Sequence, residues 1–205
     1  MFTAAELHMR ELVPLHQVQE AIFEFLQGRE DVAVFGAQAV NLFTAAPRMT
    51  QDVDLLAQHP EEVATALADW LNGRLHIATR VREIHPATAY RVDQARREGN
   101  RQLADVRLQD VKVGTIDSDG IRYVSLVDLA ALKVRSLSRR RQTPKGATDL
   151  ADLRRLLLTH PDLRNEQAGV RGAILRIGGG PEVLATWDEL LREPLISDEE
   201  ADEGY

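Results

Sequence analysis

Residues 32–57, VAVFGAQAVNLFTAAPRMTQDVDLLA, carry the reading that decides the fold. Val32-Ala33-Val34-Phe35 is a short apolar run of the kind that forms a buried strand, and Gly36 ends it. Helical character follows from Ala37 to Phe43, then a turn at Ala46-Pro47, then alternation from Thr50 to Leu56. In that alternation Asp52 and Asp54 take one face of a strand, and Val53 and Leu55 take the other. A period of two sets the two carboxylates about 7 Å apart along the strand. Like charges this close repel unless a cation stands between them, and hard divalent cations such as Mg2+ take carboxylate oxygens. Alone, Asp-x-Asp is more often the solvated face of a half-buried strand. The strand and glycine before it reverse that balance, because a helix start at Gly36 also suits an anion site made of backbone N–H groups.

The rest of the chain sets bounds on this reading. Its 205 residues suffice for one large or two small domains with a sizeable core. No run of apolar residues is long enough for a membrane span, and the N-terminus lacks the pattern of a signal peptide. The absence of cysteine excludes a disulfide framework and a thiolate metal site. A soluble, cytoplasmic protein is expected. A net charge of −7, from 32 acidic and 25 basic residues, does not describe a whole-surface nucleic-acid binder. The charge is uneven, however. Lys133, Arg135, Arg139, Arg140, Arg141 and Lys145 form a run without an acid, while Asp198, Glu199, Glu200, Asp202 and Glu203 crowd a tail that reads as a solvated end.

Taken in order, Thr3 to Leu26 reads as one or two helices interrupted near Pro14, with an apolar stripe of Leu15, Val18, Ile22 and Phe25 or Leu26. Pro60-Glu61-Glu62 opens another helix, with Val63, Leu67, Trp70 and Leu71 as its buried face and Gly73 as its cap. Strands are expected at Leu75-His76-Ile77, Val81 to Ile84, Ala89 to Ala95 and Gln102 to Gln109. Asp105, between Ala104 and Val106, is the third carboxylate of interest, with a surface acid on an edge strand as the plain alternative. Asp93 and Asp110 are its rivals, but neither has apolar neighbours on both sides within a strand pattern. The six histidines show no metal-ligand spacing, and Gly178-Gly179-Gly180-Pro181 lacks the Lys-Ser/Thr of a phosphate loop.

Further on, Ser125 and Asp128 make a capping box for a helix that turns Leu126, Ala130, Val134 and Leu137 inward. Lys133 sits at the edge of that stripe, where a lysine usually snorkels. Asp149 and Asp152 read as acids at a helix start, and Leu150, Leu153, Leu156 and Leu157 as that helix's buried face. Two short helices follow. The expected fold class is α/β of the α+β type: a small mixed sheet with flanking helices in residues 1–124, a helical region in 125–196 and an acidic tail in 197–205.

A strand, a glycine turn, a helix and Asp-hydrophobic-Asp on the next strand together resemble the nucleotidyltransferase superfamily that includes DNA polymerase β. Arg48-Met-Thr50-Gln-Asp52-Val-Asp54 is similar to the AbiE-type abortive-infection toxin branch, in which an Arg and a Ser or Thr precede the paired acids. Leu126-Val-Asp128-Leu-Ala-Ala-Leu-Lys133, an Arg-rich link and Asp149-Leu-Ala-Asp152-Leu resemble that branch's C-terminal motif. The resemblance covers residues 32–158. Two positions depart from it: Ala37, where relatives carry Gly or Ser, and Thr148, where many carry Lys.

The resemblance implies transfer of a nucleoside monophosphate from an NTP to an acceptor, dependent on Mg2+ or Mn2+. It implies Asp52, Asp54 and Asp105 as metal ligands, with Asp105 also serving as general base. Lys133 is implied as catalytic, and Gly36, Ala37, Arg48, Thr50 and Lys133 as nucleotide-binding. It further implies an RNA or tRNA acceptor and a cognate antitoxin, as in toxin-type relatives. Arg139, Arg140 and Arg141 are the residues expected to meet such an acceptor, with a solvated loop as an equal alternative. Two other readings use the same residues: a catalytically inactive binding protein of this fold, and a small-molecule, antibiotic-type nucleotidyltransferase.

Overall fold

The alternation before Ala57 folds as β2 (Val53–Ala57), and the apolar run ahead of it as β1 (Val32–Phe35). The two pair antiparallel, with Phe35 the register partner of Asp54. In the computed structural model, which describes residues 13–45 and 47–196, they lie in the middle of a seven-stranded mixed sheet of order β3-β4-β5-β2-β1-β7-β6. The other strands are β3 (Thr79–His85), β4 (Ala89–Gln94), β5 (Arg101–Leu108), β6 (Thr115–Ser118) and β7 (Ile121–Val124). β5 runs parallel to β2, and β7 parallel to β1. Residues 3–12 of the expected N-terminal helices, Ala46 and the acidic tail from Ser197 lie outside the described residues.

The described residues form two compact units. The first comprises 13–38, Met49–Asp110 and Thr115–Tyr123, and the second 39–45, 47–48, Val111–Gly114 and 124–196. In the first unit, α1 (Leu15–Leu26) and α3 (Pro60–Leu75) bury their apolar stripes with one face of the sheet. Val18, Ile22 and Leu26 join Val63, Leu67 and Leu71, and the sheet supplies Val34, Val53, Leu55, Val92, Ala104 and Val106. Each fully buried Leu, Ile or Val contributes about 1.5–3 kcal/mol relative to exposure. Because side chains alternate along a strand, this leaves the residues between them, Asp54 and Asp105 included, for the other face.

Three local details differ from the sequence expectation. Gly73 lies inside α3, which runs on to Leu75 and ends where His76 takes a left-handed conformation at φ 53°. Leu75-His76-Ile77 is therefore a helix end rather than a strand. Trp70 is partly exposed at the edge of the stripe, its indole donating to the Ala21 carbonyl at 2.8 Å. Finally, β6 and β7 form a hairpin around Asp119-Gly120, both at positive φ, the combination that two-residue turns favour.

The second unit is helical: α4 (Leu126–Arg140), α5 (Pro144–Thr159), α6 (Val170–Arg176) and α7 (Pro181–Arg192). Ser125 starts α4 by accepting from the Asp128 N–H, and returns its own hydroxyl to the Asp128 carboxylate at 2.9 Å. Thr143 caps α5 in the same manner, accepting from the Gly146 N–H. The Arg-rich link is consequently short. Arg139 and Arg140 belong to the last turn of α4, and Pro144-Lys145-Gly146 to the first turn of α5. Gly146 is required there, because a Cβ would stand 2.1 Å from the Arg140 carbonyl oxygen. No helix among the described residues is long and apolar enough to cross a membrane.

Candidate functional site

The first unit's polar residues gather on the sheet face opposite α1 and α3. Register partners on neighbouring strands project to the same face. Arg82 on β3, Arg91 on β4, Asp105 on β5, Asp54 on β2 and Phe35 on β1 therefore form one row across the sheet. Of the sequence-predicted acids, Asp54 and Asp105 thus belong to one sheet face, while Asp52 lies in the bend just before β2.

At one end of this row the backbone itself is part of the site. Gly36 opens α2 (Gly36–Phe43) with φ +68°, and a Cβ built on it would lie 2.1 Å from Asp54 Oδ2 and 2.8 Å from Asp54 Cγ. Only a glycine fits, on both counts: the left-handed backbone and the carboxylate against it. Ala37, the next residue, is buried in the first turn of α2. Thr50 closes the approach to β2, its hydroxyl donating to the Asp52 carbonyl at 3.2 Å while its own carbonyl accepts from Gln19 at 2.8 Å.

The other carboxylates of the face have partners that the sequence did not reveal. Asp105, only 4 % exposed, is gripped at both oxygens by Arg91, Nε to Oδ1 at 2.7 Å and Nη2 to Oδ2 at 3.0 Å. Arg107 is a weaker neighbour at 3.7 Å. Asp52 Oδ2 accepts from the Gln102 amide. Asp93 is buried and paired with Arg82 at 2.7 Å, whereas Asp110 is exposed just beyond β5. The hydrogen bonds to Asp105 hold the Arg91 guanidinium more firmly protonated than an ordinary arginine. Partial burial opposes this, and the charges of Asp105, Asp93 and Asp52 add to it. The only hint of this arrangement in the sequence is Arg91 and Asp93 sharing the alternation of Tyr90-Arg91-Val92-Asp93.

These acids suit a divalent cation by their donor chemistry. Mg2+ commonly takes one or two carboxylates and fills its remaining positions with water and substrate phosphate. Asp52 and Asp54 supply such a pair beside a turn that a Cβ would block. Among the described residues no three acidic or histidine side chains form a ready-made metal cage, and Asp105 is engaged by Arg91 instead.

The remaining predicted residues, Arg48 and Lys133, lie in the second unit within one buried ion cluster. Lys133 is 8 % exposed rather than snorkelling, and its ammonium meets Asp149 at 3.1 Å and Asp152 at 2.7 Å. Arg48 grips both oxygens of Asp152, at 2.8 and 3.0 Å, and Arg140 completes Asp149 at 2.8 Å. Asn41 fixes Arg48 from behind, accepting from its N–H and donating to its carbonyl. Asp149 and Asp152 are not helix-start acids: Thr143 caps α5, and both acids fall beyond its first turn, facing inward. Burial works against ionisation of Asp152, but hydrogen bonds and charge from Arg48 and Lys133 outweigh it and hold the carboxyl below its usual range. Of the link's arginines, Arg140 is committed to Asp149 and Arg141 pairs with Glu189.

No family model and no curated protein sequence matches the chain. Solved structures do. The Megavirus polyadenylate synthase is similar over 71 % of this chain at 18 % identity and a TM-score of 0.55, and the chain spans 31 % of that protein's length. The antibiotic-resistance factor ANT(2'')-Ia is similar over 85 % of this chain and 94 % of its own, at 14 % identity and a TM-score of 0.51. Together with a mixed seven-stranded sheet whose central strand β2 bears Asp54 beside a glycine turn, these likenesses show that the chain has a nucleotidyltransferase-like fold.

Proposed function

We propose that this chain transfers a nucleoside monophosphate from an NTP to an acceptor hydroxyl or phosphate, the acceptor oxygen bonding to the α-phosphorus as the α–β phosphoanhydride breaks and pyrophosphate leaves, using Mg2+ or Mn2+ at Asp52 and Asp54. The observation that carries this is the packing of bare Gly36 backbone against the Asp54 carboxylate. It brings the start of α2, where helix N–H groups suit phosphate oxygens, next to a carboxylate that suits a cation. A metal–polyphosphate ligand needs both. When bound, the cation supplies charge neutralisation on the triphosphate and acidifies the attacking hydroxyl. Asp105 takes the acceptor's proton as general base. Lys133 and Arg48 have the phosphate-neutralising role that the resemblance implies.

For the acceptor, the sequence run favours RNA through Arg139, Arg140 and Arg141, in the manner of toxin-type relatives with an antitoxin partner. A second reading, a small-molecule acceptor, is favoured by the pairing of Arg140 and Arg141 with acids of this chain. The test incubates the protein with each labelled NTP, with and without Mg2+, against total tRNA and a panel of small hydroxyl-bearing molecules. Label should move only with metal, and Asp52→Asn or Asp54→Asn should abolish it while the melting temperature stays within a few degrees. Transfer retained in both variants refutes the mechanism. NTP binding that ignores metal, without transfer to any acceptor, selects the inactive binding protein.

A further inference from the structure

Arg91 is the residue of the acid-bearing face that the proposed function leaves unused. Its guanidinium takes both oxygens of Asp105 in the fork geometry that makes Arg–carboxylate pairs strong, and it is itself three-quarters buried. Asp93 and Asp52 contribute to its electrostatic surroundings, although Asp93 is already paired with Arg82 and Asp52 with Gln102. It therefore provides, at this carboxylate, the positive charge that a divalent cation would provide. Each Asp105 oxygen already accepts one N–H from this fork. A cation that takes the carboxylate must share its charge and lone pairs with the guanidinium or displace an arm of the fork.

We propose that Arg91 is a built-in counter-cation that competes with the divalent metal for Asp105 and sets the affinity of the site for metal. This rests on the reading of Asp52 and Asp54 as metal ligands. Arg91 is a positioning residue in this scheme: in the metal-free protein it orients the buried Asp105 carboxylate, and it yields that carboxylate as cation charge arrives. Arg107, 3.7 Å from the same oxygen, is too far and too exposed to take over the role.

The competition is measured on the full chain without any nucleotide, by titrating Mn2+ and following the free aqueous ion by electron paramagnetic resonance. Arg91→Gln removes the charge and keeps one donor for Asp105. It should bind Mn2+ on the order of tenfold more tightly than the native protein. Arg91→Lys keeps the charge and loses the fork, and should gain about threefold, a second route should the glutamine variant not fold. Adding Asp105→Asn to Arg91→Gln should erase the gain, because the competition runs through that carboxylate. Mn2+ affinity unchanged or weakened in both single variants, with native binding still lost in Asp52→Asn, overturns the role of Arg91 and leaves the metal site standing. Binding that appears only once Arg91 is replaced supports the proposal in its strongest form. Absence of Mn2+ binding in the native protein and in both variants refutes the metal site and this proposal together.

Discussion

Replacing Gly36 by alanine separates the two constraints on that residue, and a second glycine provides the control. Gly36 and Gly28 have nearly the same backbone, φ +68° and φ +70°. An L-residue in the left-handed region costs about 1–2 kcal/mol. Gly28→Ala should cost that and nothing more, because no atom lies within 4 Å of the Cβ position. Gly36→Ala adds an overlap with Asp54, whose Oδ2, Cβ and Cγ would lie 2.1, 2.8 and 2.8 Å from the new methyl. Asp54 Cβ is fixed to β2, so rotating the carboxylate away is not enough and the β1–β2 pair must give. Such overpacking costs about 1–3 kcal/mol, for a total of about 2–5 kcal/mol. In a chain of this size each kcal/mol lowers the melting temperature by about 2–4 °C. Thermal unfolding should therefore rank native above Gly28→Ala above Gly36→Ala. Mn2+ binding should weaken only in Gly36→Ala, where the Asp54 carboxylate is displaced. Equal losses in the two variants would show that the backbone does not press on Asp54, and the argument for a joint anion and cation site would fall with it.

Other consequences follow from the same structure. Asp152→Asn removes the carboxylate that Arg48 grips at both oxygens and one of the two that Lys133 meets, and should cost about 3–5 kcal/mol at neutral pH in urea unfolding. Because Asp152's folded pKa is depressed, its contribution is present above the ordinary carboxylate pKa of about 3.9 and is lost as pH falls through the lower folded value, so the gap between native and variant should close in acid and not in base. Gly146→Ala must push α4 and α5 apart at the Arg140 carbonyl, and a loss of less than about 1 kcal/mol would contradict the close approach. Gly73→Ala, inside α3 with open space at its Cβ, should stabilise by about 0.5–1 kcal/mol and raise the melting temperature by about 1–4 °C.

What the sequence determined by itself were the features set by neighbours within a few residues. The run Val32–Phe35, the break at Gly36, the helix after it and the strand bearing Asp54 all express local sterics and side-chain periodicity, and the structure has them there; Thr50 to Asp52, expected in the same strand, lie in the approach to β2 instead. The same holds for Ser125 capping α4 through Asp128. The β6–β7 hairpin is local too, since Asp119-Gly120 is a strong two-residue turn signal. The end of α3 was not, because Gly73 invites a stop that the packing of Leu71 and the left-handed turn at His76 postpone. Tertiary structure alone decided which charges meet. Arg91 reaches Asp105 because β4 pairs with β5 at that register, and Asp105 lies beside Asp54 because β5 returns parallel to β2 after a helix and two strands. Lys133 looked like a stripe-edge lysine until α5 folded back along α4 and set Asp149 and Asp152 against it, and Arg48 joined them from far away in the chain. Periodicity fixes which face of an element a side chain takes, but its partner depends on strand order, register and helix packing, which no local pattern encodes.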